Sequence, residues 1–252
     1  MASYRPKLAF APASKLGEEL LVSSTRPLQL HGDVSHLASG SATCELGRTK
    51  VLCQVFGPRP RKQQGKAEFE NMGAVDVEAT FMLSFSSGDD GLEENDGGEK
   101  ANRALSMFVE NALQTSVQLE LFPKSVLDVH IQVLEDDGSA FACAVICASF
   151  ALAKCGVEMF DLVTAVTLYS TPVGSGDEET VYVDPTKRQQ FQAKATCTVA
   201  MFASTGEITA LSLTSVTPNR LPQYLAKAQA VCLQVDSQIR SQLVGEEEAF
   251  VL

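Results

Sequence analysis

The sequence is short of positive charge. Its 252 residues hold 20 Lys and Arg against 31 Asp and Glu, a net charge of −11. A surface-wide attraction to nucleic acid or to anionic membrane is thereby excluded, and any RNA contact has to come from a local basic patch. A long apolar run is missing as well. The longest, Ala140 to Ala153, is too short to span a bilayer and ends at Lys154. The first residues, Met1-Ala-Ser-Tyr-Arg-Pro-Lys, have no apolar core of a signal peptide. With 45% hydrophobic and 20% charged residues, the chain has ample apolar surface to bury, which excludes wholesale disorder. The expectation is a soluble intracellular globular protein without membrane association.

Metal and nucleophile signatures are also lacking. The seven cysteines, Cys44, Cys53, Cys143, Cys147, Cys155, Cys197 and Cys232, form no C-x-x-C. Their odd number and apolar surroundings do not suit a disulfide framework. Cys143 and Cys147 share a helix face at i, i+4, yet no other Cys or His stands at ligand spacing, so they read as small core residues. His31 and His36 fall in a loop-like stretch around Gly32, and His130 reads as a strand-face residue. There is no H-E-x-x-H, G-x-G-x-x-G, P-loop or G-x-S-x-G. Zincin, dinucleotide, NTPase and α/β-hydrolase readings therefore have no support, and no cofactor or metal is expected.

What is present is a series of alternating and helical patterns. Residues 1–25 read as an irregular arm with Pro6, Pro12 and Gly17. Ser41–Leu46 and Thr49–Phe56 flank a Gly47-Arg48 turn as a hairpin, which Gly57-Pro58 is expected to end. A polar loop at 58–72 carries Arg59, Arg61, Lys62 and Lys66. These four are either a contact for RNA or a partner, or a solvated loop. Ala74–Phe85 alternates like a strand. Ser86–Glu99 is a Gly-rich loop with Asp89, Asp90, Glu93, Glu94, Asp96 and Glu99, and it lacks the ligand spacing of a calcium loop. Leu105, Phe108, Val109, Ala112 and Leu113 mark one face of a helix, with Pro123 as its stop.

Val126–Leu134 reads as a strand and Ala140–Cys155 as a helix apolar on all sides, hence central. Ser139 is its expected N-cap and Gly156 its stop. Leu162–Tyr169 and Thr180–Val183 are further strands. Thr196–Ala203 and Glu207–Thr214 pair across Thr205-Gly206. A long helix over Asn219–Val244 turns Leu225, Ala228, Val231, Cys232, Val235, Ile239 and Leu243 inward, and 245–252 forms an acidic tail. At roughly 150 residues per domain, 252 residues allow one large domain. Strands and helices do not alternate strictly, so the pattern fits one α+β domain over 1–252 with mixed sheets.

Two segments look chemical. Asp137-Gly138-Ser139 enters the central helix, where free N–H groups and the dipole favour an anion. Asp136 and Asp137 oppose a phosphate there and read as capping residues. Asp184-Pro185-Thr186-Lys187 ends a short strand. A lone Asp before Pro is turn chemistry, and Lys187 to Lys194 contain no acid to make a carboxylate pair.

At these segments the chain resembles the RNase PH family. "VLDVHIQVLEDDGSAFACAVICASFALAKCGVEMFDL" at 126–162 is similar to the family's central segment, and "GSATCELGRTKVLCQVFGPRP" at 40–60 to its N-terminal hairpin. "LFPKS" at 121–125 and "VYVDPT" at 181–186 follow in the family's order, so the likeness covers about 24–244. "LEDDGSA" and "CGVEMFDLV" most resemble the non-catalytic, mRNA-transport-regulator type of ring subunit of the eukaryotic RNA exosome. "DPTKRQQFQAKA" would suit another inactive ring subunit too.

The resemblance implies an RNase PH-like α+β fold with a buried central helix and a long C-terminal helix. It implies assembly into a six-membered ring around an RNA channel, and, in active members, phosphorolysis of RNA 3′ ends. This chain departs from the active pattern three times. After Gly138-Ser139, Ala140 replaces a phosphate-holding Arg. Six residues after Asp184, Gln190 replaces a second Asp. Before the first long helix, where active members grip RNA with arginines, Glu93–Glu99 is acidic and only Lys100 and Arg103 remain. Gly138, Ser139, Ala140, Asp184 and Gln190 are thus expected to be degenerate active-site positions, with no catalytic residue. The implied function is a structural exosome subunit with RNase PH-like paralogues and an S1-type cap protein as partners, RNA in the channel, and residence in nucleus, nucleolus and cytoplasm. The rival reading is a phosphorolytic 3′-to-5′ exoribonuclease that uses Asp184, alone or in a composite site with a partner.

Overall fold

The computed structural model describes residues 25–60, 72–82, 94–172 and 179–250. Strands β1 (Leu28–Gly32), β2 (Gly40–Leu46), β3 (Thr49–Pro60), β4 (Ala74–Phe81) and β5 (Ser125–Glu135) form a first sheet in the order β1-β2-β3-β5-β4. All neighbours are antiparallel except β4 and β5. Strands β6 (Val163–Pro172), β7 (Glu179–Val183), β8 (Ala195–Phe202) and β9 (Ile208–Thr214) form an antiparallel second sheet, β7-β6-β8-β9. The helices are α1 (Glu94–Gln114), α2 (Ala140–Lys154), α3 (Lys187–Gln192) and α4 (Leu221–Phe250).

Helix α2 lies between the sheets, against β2 and β3 on one side and β6 on the other. That position explains its composition. Of its residues, Ala140 and every one from Ala142 to Leu152 are buried, so no face needs to be polar. Small side chains let the sheets come close. A Cβ on Gly40 would meet the Ala151 carbonyl oxygen at 2.5 Å. Among the described residues, the first sheet is covered on one face only. Leu127, Val129, Ile131 and Val133 of β5 point inward, while Asp128, His130 and Gln132 between them are partly exposed. Strand β8 shows no such alternation, because helices cover both its faces. Its buried hydroxyls stay paired: Thr198 shares a hydrogen bond of 3.1 Å with Thr167.

Several elements differ from the sequence reading. Strand β1 is an addition to it, and His31 lies in that strand rather than in a loop. Strand β3 does not stop at Gly57-Pro58. Those two residues sit in a bulge opposite Leu127, where Pro58 needs no ladder N–H, and pairing resumes at Arg59 with Val126. Helix α1 begins at Glu94, inside the expected loop, and ends at Gln114, well before Pro123. Helix α3 is a second addition and exists through a capping box between Thr186 and Gln189. Helix α4 continues through Gly245 to Phe250, in place of the expected tail. Residues 1–24, 86–93 and 83–85 of the expected arm, loop and strand end lie outside the described residues.

All seven cysteines are free, and only Cys155 is not fully buried. Cys44 and Cys143 face each other across β2 and α2 with sulfurs 3.2 Å apart. That contact and burial push the Cys44 thiol well up, and burial does the same for Cys147. Thiolate is the reactive form. With iodoacetamide at pH 8, Cys155 is therefore expected to be modified first in the folded chain, the others only on unfolding, as peptide mass mapping will read.

Asp161 joins three elements. Its carboxylate accepts from Ser204, from Arg240 on α4 and from the Leu162 N–H at 2.8 Å. Burial opposes its charge, but these hydrogen bonds and the Arg240 charge prevail and hold its pKa below the ordinary value. A lowered folded pKa stabilises above the unfolded value, about 3.9, and the gain is lost as pH falls through the folded value. Asp161→Asn is expected to lower the unfolding free energy by about 1 kcal/mol at pH 7. The two proteins should converge below the ordinary carboxylate range, as urea titrations at pH 7 and pH 3 will test.

Candidate functional site

The fold brings together the two segments singled out in the sequence. Asp184 follows β7, and Asp137-Gly138-Ser139 enters α2. The Lys187 N–H donates to the Asp137 carbonyl at 2.8 Å, and the Ser139 hydroxyl to the Pro185 carbonyl at 3.3 Å. Gly138 has φ +95°, and a Cβ there would lie 2.3 Å from the Pro185 carbonyl oxygen. Only glycine allows that approach and that backbone.

Between the segments sits Arg26, which no sequence motif marks. Its Nε and Nη2 each donate to one Asp184 carboxylate oxygen at 2.8 Å, and its backbone N–H adds a third bond at 3.1 Å. Nη1 and Nη2 reach the Asp137 and Gly138 carbonyls at 3.3 and 3.2 Å. The Asp184 side chain is only 4% exposed. Burial works against the Arg26 charge, but the hydrogen bond and field of Asp184, with Asp137 adding, hold the guanidinium above its ordinary pKa. Thr49, at the start of β3, completes the cluster. Its buried hydroxyl donates to the Gly138 carbonyl at 2.7 Å and accepts from the Asp137 N–H at 3.1 Å. A lone Arg before Pro27 and a Thr after a turn carry no sequence signal for this role.

The other residues named in the sequence fall differently. Ser139 is not a side-chain N-cap: its φ is +57°, and its hydroxyl bonds Pro185 instead of the helix. Asp136 accepts from the Gly138 N–H at 3.0 Å and pairs with Lys187 at 3.1 Å, and the Asp137 carboxylate lies 3.8 Å from Arg26. Neither aspartate caps α2. Ala140 stands buried at the head of α2, and Gln190 is exposed on α3. Arg59 is paired with Asp128 on the exposed sheet face. Arg61, Lys62 and Lys66 lie outside the described residues, so the basic cluster is not assembled among those described. A cleft beside Asp184, between Arg26, Ile146 and Val235, has a volume of about 20 Å³. That is room for about one water, not for a nucleotide.

The sequence pattern of the 3′ exoribonuclease family, domain 1 (RNase PH), matches residues 24–158. The chain belongs to the RNase PH family of 3′ exoribonucleases. It is 34% identical to the exosome complex component MTR3 of Mus musculus, over 74% of this chain and 70% of that protein. It is 31% identical to an exosome complex component RRP41-like of Arabidopsis thaliana, over 85% and 77%. Its fold is that of the rice (Oryza sativa) Rrp46 crystal structure, with a TM-score of 0.71 at 22% identity over 87% of this chain and 96% of that one. An archaeal exosome core structure matches with a TM-score of 0.64 at 17% identity, over 86% and 87%. The RNase PH-like α+β architecture expected from the sequence is the one observed.

Removing one partner of a buried ion pair leaves an uncompensated charge, at a cost of about 3–5 kcal/mol. Arg26→Met is expected to destabilise the chain by that amount in urea unfolding. Adding Asp184→Leu should recover most of the loss. A double variant no more stable than the single one would show that Arg26 acts mainly through the Asp137 and Gly138 carbonyls.

Proposed function

We propose that the chain is a catalytically silent structural subunit of an RNA exosome ring. It completes a six-membered ring beside RNase PH-like paralogues, receives an S1-type cap protein, and supports 3′-to-5′ RNA processing and degradation without cleaving RNA. Its relatives named as exosome complex components, MTR3 among them, support the ring assignment. Nuclear, nucleolar and cytoplasmic residence goes with this reading.

The observation that carries catalytic silence is the state of Asp184. Both of its oxygens are taken by Arg26. A general acid must carry and release a proton, and a metal ligand must offer free lone pairs. Here Oδ2 accepts two hydrogen bonds and Oδ1 one, all from Arg26, so the carboxylate is oriented to the guanidinium and not presented to a phosphate or a metal. Ala140 brings no cation to hold phosphate, and Gln190, exposed on α3, brings no second carboxylate. Loss of one such electrostatic group typically costs ~10²–10³ in rate, and here two are replaced and the third is engaged. A composite site with a partner would have to break the Arg26–Asp184 pair first.

Native mass spectrometry of the gently purified tagged chain tests the assignment. The expected assembly holds about nine different chains with one copy of this protein, whereas a monomer or homo-oligomer without RNase PH-like companions would overturn it. The assembly is then given phosphate and a 3′-tailed RNA. Nucleoside diphosphate release should be the same with wild-type chain and with Asp184→Asn, and release abolished while that variant still enters the intact assembly would establish a composite site.

A further inference from the structure

We propose that the Arg188–Phe191 face of α3 is an anchor on which a neighbouring protein chain docks, through an apolar pocket with a carboxylate at its rim. The proposal rests on the ring-subunit reading and names one point of contact within it. Phe191 is 93% exposed, the most exposed large apolar side chain among the described residues. Arg188 stands three residues earlier, so the two share a helix face about 5–6 Å apart. Arg188 is exposed and has no partner among the described residues. Aromatic and Arg side chains are the groups that interface centres favour.

The display is rigid. The capping box fixes the start of α3, the Lys187 N–H holds the Asp137 carbonyl, and the Lys194 N–H donates to the Ser170 carbonyl at 3.0 Å just past its end. An anchor held in place before binding loses little entropy on docking. The charge pattern selects the partner. In α3 and its flanks, Pro185 to Lys194, there is no acid, in a chain with a net charge of −11, and the neighbouring Asp136 is spent on Lys187. The complementary surface is therefore acidic and apolar. RNA fits less well. Phosphate binding draws its strength from several free cations, and here Lys187 is already neutralised by Asp136, Lys194 has a partner of its own, and Arg188 alone is uncommitted.

The test uses an assembly reconstituted from the purified full-length chain, its RNase PH-like paralogues, the cap protein and a single-stranded RNA. A photoreactive benzophenone side chain at position 191 is expected to cross-link to one protein subunit. Phe191→Glu, with its thermal unfolding unchanged, should weaken incorporation of this chain at least tenfold. Arg188→Glu should weaken it too and be rescued by reversing the charge of a carboxylate in the cross-linked peptide. An adduct on RNA, no adduct, or incorporation of Phe191→Glu within twofold of wild type would overturn the proposal. Failure of the wild-type chain to enter any assembly would instead defeat the ring-subunit reading.

Discussion

The buried pair between Arg26 and Asp184 is the constraint on which the rest of the structure turns. Arg26 stands just before the first strand of one sheet, and Asp184 just after an edge strand of the other. The carbonyls of Asp137 and Gly138, which Arg26 also holds, lead into the helix between the sheets. One guanidinium thus fixes three layers at a single point. Such a pair adds little net stability over an apolar replacement, because both charges must be desolvated. What it supplies is geometry. Asp184 and Ser139 sit at φ +55° and +57°, and Gly138 at +95°. Non-glycine residues hold such conformations only where their surroundings over-determine them. Here the surroundings are the hydrogen bonds of Arg26, those of Thr49 and the Ser139–Pro185 bond.

The central helix works by the opposite chemistry. It has one charge, Lys154, at its end, and inside it the small residues Ala and Cys predominate. Their size, more than their hydrophobicity, lets β2 approach until Gly40 touches the Ala151 carbonyl. A larger residue at Gly40 would push the hairpin off α2 and shift Thr49, which lies in the same hairpin and closes the Arg26 cluster. Core packing and the polar cluster are therefore coupled through a short path of backbone.

The core elements are legible in the sequence where the period is long and unmixed. The all-round apolar α2, the inward stripe of α4 and the β2–β3 hairpin all fall where the pattern places them. What stays hidden is decided by tertiary pairing. Strand β1, Leu28–Gly32, alternates over only four residues, Leu28 to His31, too few for a clear signal, and becomes a strand because β2 offers it an edge. The six residues of α3 are too few for a periodic signal and depend on the Thr186–Gln189 box. The bulge at Gly57-Pro58 imitates a strand end in sequence, since glycine and proline mark either feature. At the site, Gly138, Ser139 and Asp184 are visible through the family likeness. Arg26 is not, because a single arginine gains its meaning only from the carboxylate 158 residues away.

On the proposed reading, the same pair explains how a carboxylate can stay at this position without acting there. The resemblance to active members implies cations for phosphate and a second acid near Asp184. With Ala140 and Gln190 in those places, an isolated buried carboxylate would have to take up a proton or find a new counter-charge. Arg26 provides the counter-charge, and in doing so it satisfies the carbonyls that shape the entry to α2. Once those carbonyls rely on the guanidinium, removing Asp184 is no longer neutral, because it would leave Arg26 buried and half-paired. On the proposed reading, a group without a reaction is thus held by the fold that it supports.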